Sequence, residues 1–385
     1  MFPELGVKGY KIDRGEEEEM PVYEQNIQMD KFLKLAYDTM VSQHGRTKFF
    51  NFARSAVDRS RRHTAIWNGD SHGNFTGLAY SVASGIRAGL IAFPIWGSDT
   101  GGYVRDSSDT AGDEFAPSPE VWARWMWFSA FSPVYEIMIG TGHTPWYHPY
   151  NNTNSGGVDL MGVLKKSAGL HHELLAYIKS YAYVASKTGV PIMRALFLEA
   201  PGDKKKEVWE SADSYFFGSE FLVAPVVEKG GKRSVYFPDT RKGATKYLEY
   251  FGKKIVHAGG TTANVSVAAD TIPVYVVQGA IIPRGDIHQG NNKWTKNWRP
   301  NLTVEVFPSF EVEESVFRYY KGEGDDGQEV KIKLETDKSG GSVTVTYEDL
   351  GIDGKVVVYL EGQSKEAELK KGGGQLVVDG ISTLF

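Results

Sequence analysis

The apolar and polar positions divide the chain into two styles. Up to about residue 200, short apolar runs alternate with stretches of helical spacing. Residues 7 to 13 (VKGYKID) read as a buried strand. Residues 27 to 41 follow with Phe32, Leu33, Leu35, Ala36 and Met40 on one stripe, the spacing of a helix. The segments 48 to 53 (KFFNFA) and 63 to 67 (HTAIW) read as strands, 75 to 90 as a helix, and 91 to 96 (IAFPIW) as another strand. A Trp-rich helix is expected over 119 to 131, opening with Pro and Glu, which the first helical turn tolerates. Residues 158 to 188 read as one long helical stretch, and 192 to 198 (IMRALFL) as a closing strand.

Strands alternating with helices predict parallel strands joined by crossover helices, the α/β class. An open doubly wound sheet and a closed barrel both fit that pattern. The functional-looking residues stand where strands end: Asp13, Arg54, Asp70 and Asp99. A barrel gathers all its strand ends around one pocket, so four candidates on successive ends favour the barrel. After about residue 205 the chain turns to short alternating runs, such as 221 to 227, 233 to 237, 302 to 307 and 342 to 347, between Gly-, Asp- and Lys-rich turns. That is the pattern of antiparallel β-sandwiches. The segment 285 to 299 (GDIHQGNNKWTKNWR) reads as a boundary, giving an expected division into 1–205, 206–290 and 291–385.

Composition narrows the function. With 43 Lys and Arg against 48 Asp and Glu, the net charge of -5 argues against a nucleic-acid binder. No apolar run approaches the roughly 18 residues of a membrane span. The 385 residues include no cysteine, which excludes disulfides, thiolate metal sites and cysteine nucleophiles. The start, MFPELGVKGY, lacks the basic and apolar regions of a signal peptide. Sequons at Asn74, Asn151, Asn264 and Asn301 would permit glycosylation, so the compartment stays open.

Three segments carry candidate chemistry. In the first, Lys11 precedes Asp13 at a strand end ahead of a Gly turn. The second, RSAVDRSRRHTAIWNGD, sets Arg54 at one strand end and Trp67 and Asp70 at the next, with Gly69 allowing a tight turn. Trp67 could stack on a sugar, wall a pocket or simply fill a core. The third is Gly97-Ser-Asp99-Thr-Gly101-Gly102, where glycines let backbone approach a ligand. Two carboxylates on separate strand ends of one barrel suit glycosidic cleavage, one as nucleophile and one as acid/base. Other chemistries fit less well: there is no G-x-S-x-G elbow, P-loop or H-E-x-x-H. Gly140-Thr-Gly142 lacks a third glycine at dinucleotide spacing. His143, His148, His171 and His172 lack a completing ligand set and read as structural or surface residues. Glu16 to Glu19 read as a solvated loop, and Asp325-Asp326-Gly327 as a turn.

Together these segments resemble glycoside hydrolase family 31, the retaining α-glycosidases, over most of residues 5–285. GVKGYKIDRGE resembles the family's nucleophile strand in its α-xylosidase-like variant. The Arg54-to-Asp70 segment resembles the acid/base segment, and GSDTGGY the Gly-x-Asp-x-Gly-Gly strand end. LHHELLAYIKSYAYVASKTGVPIMRALFLEAPGD with YFFGSEFLVAPVVEKG resembles the last barrel helix and strand and the entry to the first β-domain.

The resemblance implies a (β/α)8 barrel followed by two antiparallel β-sandwich domains. Asp13 would be the nucleophile and Asp70 the acid/base, with Lys11, Arg54, Trp67 and Asp99 lining the sugar subsite. It implies hydrolysis of terminal α-linked sugars by double displacement with no metal or organic cofactor, a carbohydrate substrate, and neither nucleic acid nor membrane as partner. A cation beside Asp13 would favour its ionised form, whereas a general acid must hold its proton, which burial or the charge on Asp13 would promote.

Two departures bear on this. Where α-glucoside-acting members carry an Arg-x-His pair, this chain has Glu136 and Met138. A methionine cannot donate hydrogen bonds, so an α-xyloside, α-galactoside or other sugar becomes as plausible as glucose. The first residues correspond to the fourth barrel strand, so only the second half of the barrel is expected here. The other half would be supplied by further chain or by an oligomer partner. The rival readings are a transglycosylase or α-glucan lyase of the same family, and a truncated, non-catalytic carbohydrate-binding protein.

Overall fold

The computed structural model describes residues 5–13, 20–104, 117–138, 144–146, 157–240, 245–289, 298–322, 324–380 and 382–385. Glu16 to Glu19, Gly140, Gly142, His143, His148 and Asn151 lie outside them.

Five short strands open the chain: β1 (Gly9–Ile12), β2 (Phe50–Ala53), β3 (Ala65–Trp67), β4 (Trp96–Asp99) and β5 (Val134–Glu136). They pair in chain order and all in parallel, as half of a barrel wall does. Helices α1 (Gln25–His44), α2 (Phe75–Leu90) and α3 (Pro119–Ala130) lie on the connections. The period of two sorts the strand residues. Ile12 and Ala53 pack on Met29 and Leu33 of α1, whereas Phe52, Ala65 and Trp67 cluster on the opposite, inner face. Helix α2 begins where the Asn74 side chain accepts the Gly77 N–H at 2.9 Å. Asn74 is therefore a buried cap, withdrawn from the modification its sequon would permit. Helix α3 is buried on almost every side, Arg124 included, and Trp122, Trp125 and Phe128 are fully buried, as a helix enclosed by neighbours requires.

The structure corrects several expected elements. The run from Ile91 to Trp96 is mostly a turn: Ala92 takes φ 64°, Pro94 has no N–H to give, and β4 starts only at Trp96. The long helix of 158 to 188 is two, α4 (Leu160–Glu173) and α5 (Leu175–Thr188), meeting at Leu174. The closing strand shrinks to β6 (Met193–Arg194), after which Leu196–Glu199 coils into α6. β6 pairs antiparallel with β7 (Tyr215–Phe217) and so joins the next sheet, not the parallel one.

Following α7 (Lys206–Glu210), β7 is joined by β8 (Phe221–Val223), β9 (Lys232–Phe237), β10 (Lys246–Glu249), β11 (Val256–Ala258), β12 (Thr261–Ser266) and β13 (Val274–Val277). These form a six-stranded sheet, β11-β10-β13-β8-β7-β6, and the pair β12-β9. The remainder comprises β14 (Ala280–Arg284), β15 (Leu302–Phe307), β16 (Glu314–Lys321), β17 (Gln328–Asp337), β18 (Ser342–Tyr347), β19 (Gly354–Leu360), β20 (Gln363–Leu369) and β21 (Gly374–Val378). They make two four-stranded sheets, β14-β15-β19-β20 and β16-β17-β18-β21. Pairing is antiparallel except between β15 and β19, so these domains are mostly rather than wholly antiparallel. Although β14 precedes residue 290, it is hydrogen-bonded to β15 of the distal sheet.

Helix α5 locks these parts together. The hydroxyls of Tyr177 and Tyr181 both donate to Glu220 Oε2, at 2.6 and 2.5 Å, and Phe317 of β16 stacks on Tyr177 at 5.7 Å. Arg194 Nη1 donates to Glu199 at 2.5 Å and to Ser219 Oγ at 2.8 Å. Burial pushes the Glu220 carboxyl upward in pKa, while the two tyrosine donors oppose the shift. A cavity of about 570 Å³ adjoins this junction, lined among others by Arg194, Glu220 and Phe317. We predict that Glu220→Ala, which removes the acceptor of the buried Tyr181 hydroxyl and leaves Tyr177 only the Phe217 carbonyl, costs roughly 2 kcal/mol. Glu220→Gln, which keeps an acceptor, should lose clearly less. Urea-denaturation midpoints of the two variants test this, and equal losses would contradict it.

Candidate active site

The acidic and basic residues expected at strand ends converge on one end of the parallel sheet. Asp13 follows β1, Arg54 follows β2, Asp70 follows β3, and Asp99 closes β4. Arg54 Nη1 lies 3.2 Å from Asp13 Oδ1 and 3.4 Å from Asp70 Oδ1. The two carboxylate oxygens are thus separated by no more than the sum of those contacts, about 6.6 Å, which admits the roughly 5–5.5 Å spacing of a retaining pair. Both carboxylates face solvent, the Asp13 side chain at 56% exposure and that of Asp70 at 40%. Burial, one of the two means expected to keep a proton on the acid, is therefore not provided at Asp70 by the described residues.

The loop that carries Asp70 is braced. Gly69 takes φ 73°, and a Cβ there would meet Arg54 Cδ at 3.2 Å, so glycine both makes the turn and clears the guanidinium's path. Asn68 Nδ2 donates to Ser71 Oγ at 2.7 Å and Ser81 Oγ at 2.8 Å, pinning the loop to α2. Its neighbour after β4 is tied on by the Tyr103 and Val104 N–H groups, which both donate to the Ser71 carbonyl. Gly102, at φ 82°, lies so close to Gly73 that any side chain would strike its backbone.

A second, deeper charge cluster lies on the inner face. Lys11 Nζ contacts Asp99 Oδ1 at 2.5 Å and Glu136 Oε2 at 3.1 Å, and stands 4.4 Å from the centre of the Trp67 ring. Asp99 is almost completely buried, and burial raises its pKa against the pull of Lys11. Burial is also the largest influence on the Glu136 carboxyl, pushed up to about 7, with Asp99 adding to the shift and Lys11 opposing it. Trp67 is buried between this ammonium and the Phe52 ring, 5.3 Å away. Its indole Nε1 finds no hydrogen-bond partner among the described residues.

Six expected site residues therefore fall into two adjoining groups, Arg54 with Asp13 and Asp70, and Lys11 with Asp99 and Trp67. Glu136 belongs to the second group, although the sequence marked it only as a departure from the α-glucosidase pattern. The legible signal was a lone acid ending the apolar run Val134-Tyr135-Glu136. Two of the four candidate histidines serve elsewhere: His171 packs on Tyr135, and His172 Nε2 lies 2.9 Å from Asp286 Oδ1. Among the described residues, no group of three His, Asp or Glu could hold a metal ion, and no helix is long and apolar enough to cross a membrane.

Comparison with known proteins gives this geometry a context. The chain is 27% identical over 253 residues to an α-xylosidase of Emericella nidulans, covering 65% of this chain and 30% of that protein. It is 26% identical over 301 residues to an isomaltosyltransferase of Sporosarcina globispora, covering 74% of this chain and 26% of the relative. The fold resembles that of a Flavobacterium johnsoniae family 31 dextranase complexed with glucose, with a TM-score of 0.80 and 22% identity. That match spans 98% of this chain and 53% of the dextranase chain, so the sequence represents about half the length of its structural counterpart or less of its curated relatives. Residues 2–181 match the model of the glycosyl hydrolases family 31 TIM-barrel domain and residues 189–282 that of the family 31 C-terminal domain. With consecutive domains of one family accounting for most of its length, the chain belongs to glycoside hydrolase family 31.

Proposed function

We propose that this chain carries the catalytic carboxylates of a retaining α-glycoside hydrolase that releases terminal α-linked sugars. The observation that carries the reading is the Arg54 guanidinium within 3.4 Å of both Asp13 and Asp70. In the first step an Asp13 oxygen bonds to the anomeric carbon, the glycosidic C–O bond breaks, and the proton of Asp70 passes to the departing oxygen. In the second, Asp70 as carboxylate takes a proton from water, whose oxygen attacks the same carbon and releases Asp13 from its ester. Arg54 offsets the repulsion between the two acids. Asp99, buried beneath the subsite, holds Lys11, whose partly exposed ammonium donates to sugar hydroxyls, and Trp67 walls the subsite with an N–H that is unpartnered among the described residues.

The substrate class is an α-xyloside or another α-glycoside, with the α-xylosidase relative supporting the first choice. The isomaltosyltransferase relative supports a second reading, in which a sugar hydroxyl replaces water in the second step. An α-glucan lyase would use the same two carboxylates and release an anhydro-sugar. A third reading, a non-catalytic carbohydrate binder, requires binding without turnover. We propose further that the inner face of the parallel sheet is completed by additional strands, from the same polypeptide or from another copy.

Asp13→Asn in the full-length protein should lower hydrolysis of aryl α-glycosides by several orders of magnitude, and unchanged turnover would sink the assignment. Asp70→Ala should slow glycosides with poor leaving groups by about 10²–10⁴-fold and spare the glycosylation step of activated aryl substrates. Equal losses for both substrate types would remove Asp70 from the acid role. Product analysis with an added acceptor sugar separates hydrolysis from transfer.

A further inference from the structure

One buried acid, Asp99, and one partly buried acid, Glu136, share one cation at the floor of the site, and the double displacement uses neither as nucleophile or acid. Asp99 and Glu136 are directly paired in register on neighbouring parallel strands, so their side chains leave the sheet side by side. Lys11, from β1, reaches both, and its remaining side is turned to the Trp67 ring. The other cation, Arg54, is engaged by Asp13 and Asp70. The groups facing Glu136 are thus Lys11 and Asp99, while Asp70 acts on Asp99 from the loop after β3.

One ammonium cannot hold a buried and a partly buried carboxylate both ionised without a desolvation cost. Glu136 has an oxygen, Oε1, that is buried with no hydrogen-bond partner among the described residues. A proton carried on this carboxyl and donated to Asp99 removes that deficit and leaves a single negative charge for Lys11 to balance.

We propose that Glu136 is a positioning residue for Asp99 and, through it, for Lys11: the two carboxyls share one proton, and losing it draws the Lys11 ammonium away from the sugar hydroxyl it binds. The proton-sharing arrangement stands on the geometry of the cluster, and its consequence for sugar binding rests on the functional reading above. The proton is present in mildly acid solution and leaves as pH rises through about 7. The same carboxyl ordinarily titrates near 4.5, so the folded state holds the proton more tightly than the unfolded one. Its contribution to stability is therefore complete below about pH 4.5 and lost as pH climbs through about 7.

The test compares the unaltered protein with Glu136→Gln, whose amide donates to Asp99 without titrating. In the unaltered protein, KM for an aryl α-glycoside should rise about tenfold between pH 6 and pH 8, the loss of one hydrogen bond involving a charged group. In Glu136→Gln it should remain at its low-pH value across that range. Infrared spectra of the ligand-free protein supply a readout independent of activity. A protonated-carboxyl band should fade across neutral pH in the unaltered protein and be missing from the variant. Fading of the band without any glycoside hydrolysis would uphold the shared proton and overturn the catalytic reading together with the link to KM. A KM profile that Glu136→Gln leaves unchanged, or the lack of a titrating band, would overturn the proposal.

Discussion

A single guanidinium reaching two acids on different strand ends is the contact around which the site is organised. Two carboxylates a few ångströms apart repel, and each left alone would turn toward solvent. Arg54 makes their convergence favourable, and its reach depends on Gly69, because a side chain at that position would crowd the arginine stem. The parallel sheet supplies the rest of the constraint: strands paired in sequence order all end on the same side, so Asp13, Arg54, Asp70 and Asp99 meet without any long excursion of the chain.

The site repeats one charge ratio in two dielectric settings. At the surface, Arg54 faces Asp13 and Asp70; deeper, Lys11 faces Asp99 and Glu136. Each cluster holds two acids and one base, yet their physics differ. Water solvates the exposed pair and screens its repulsion. The buried pair has little solvent to share the load, and burial is the largest influence on both of its members. Proton sharing is the response open to such a pair, whereas water can meet the charge of the exposed one.

Much of this was legible in the sequence because strand ends punctuate the chain with charged residues and glycines. VKGYKID, FNFAR, AIWNGD and PIWGSD each couple an apolar run to a polar terminus, and helix α2 was readable residue by residue from its spacing. Other features depended on contacts between distant segments. The run IAFPIW has strand-like composition but contains a proline and follows a helix directly, so its first residues turn and only Trp96 enters the sheet. IMRALFL is apolar but for Arg194, yet it pairs with Tyr215–Phe217 and then coils, because its neighbour is a later strand, not the parallel sheet. Glu136 escaped notice as a site residue since its role exists only relative to Lys11 and Asp99, both far away in sequence.

The same logic explains why the β-domains matter to a site they do not line. Asp99 ends β4, and the preceding Ser98, on the outer face, accepts the indole N–H of Trp125 at 3.0 Å. Adjacent on α3, Arg124 donates to the carbonyls of Val267 and Ala268 in the proximal β-domain at 2.8 and 2.7 Å. Because Arg124 is itself buried, those carbonyl contacts would be costly to open, and α3 is fixed against the domain as firmly as against the sheet. The strand bearing Asp99 is thus backed by a rigid helix, which is in turn bolted to a second domain. Placing a carboxylate to within a fraction of an ångström requires support of this depth, since side chains on thin, open sheets would shift with every fluctuation of the wall.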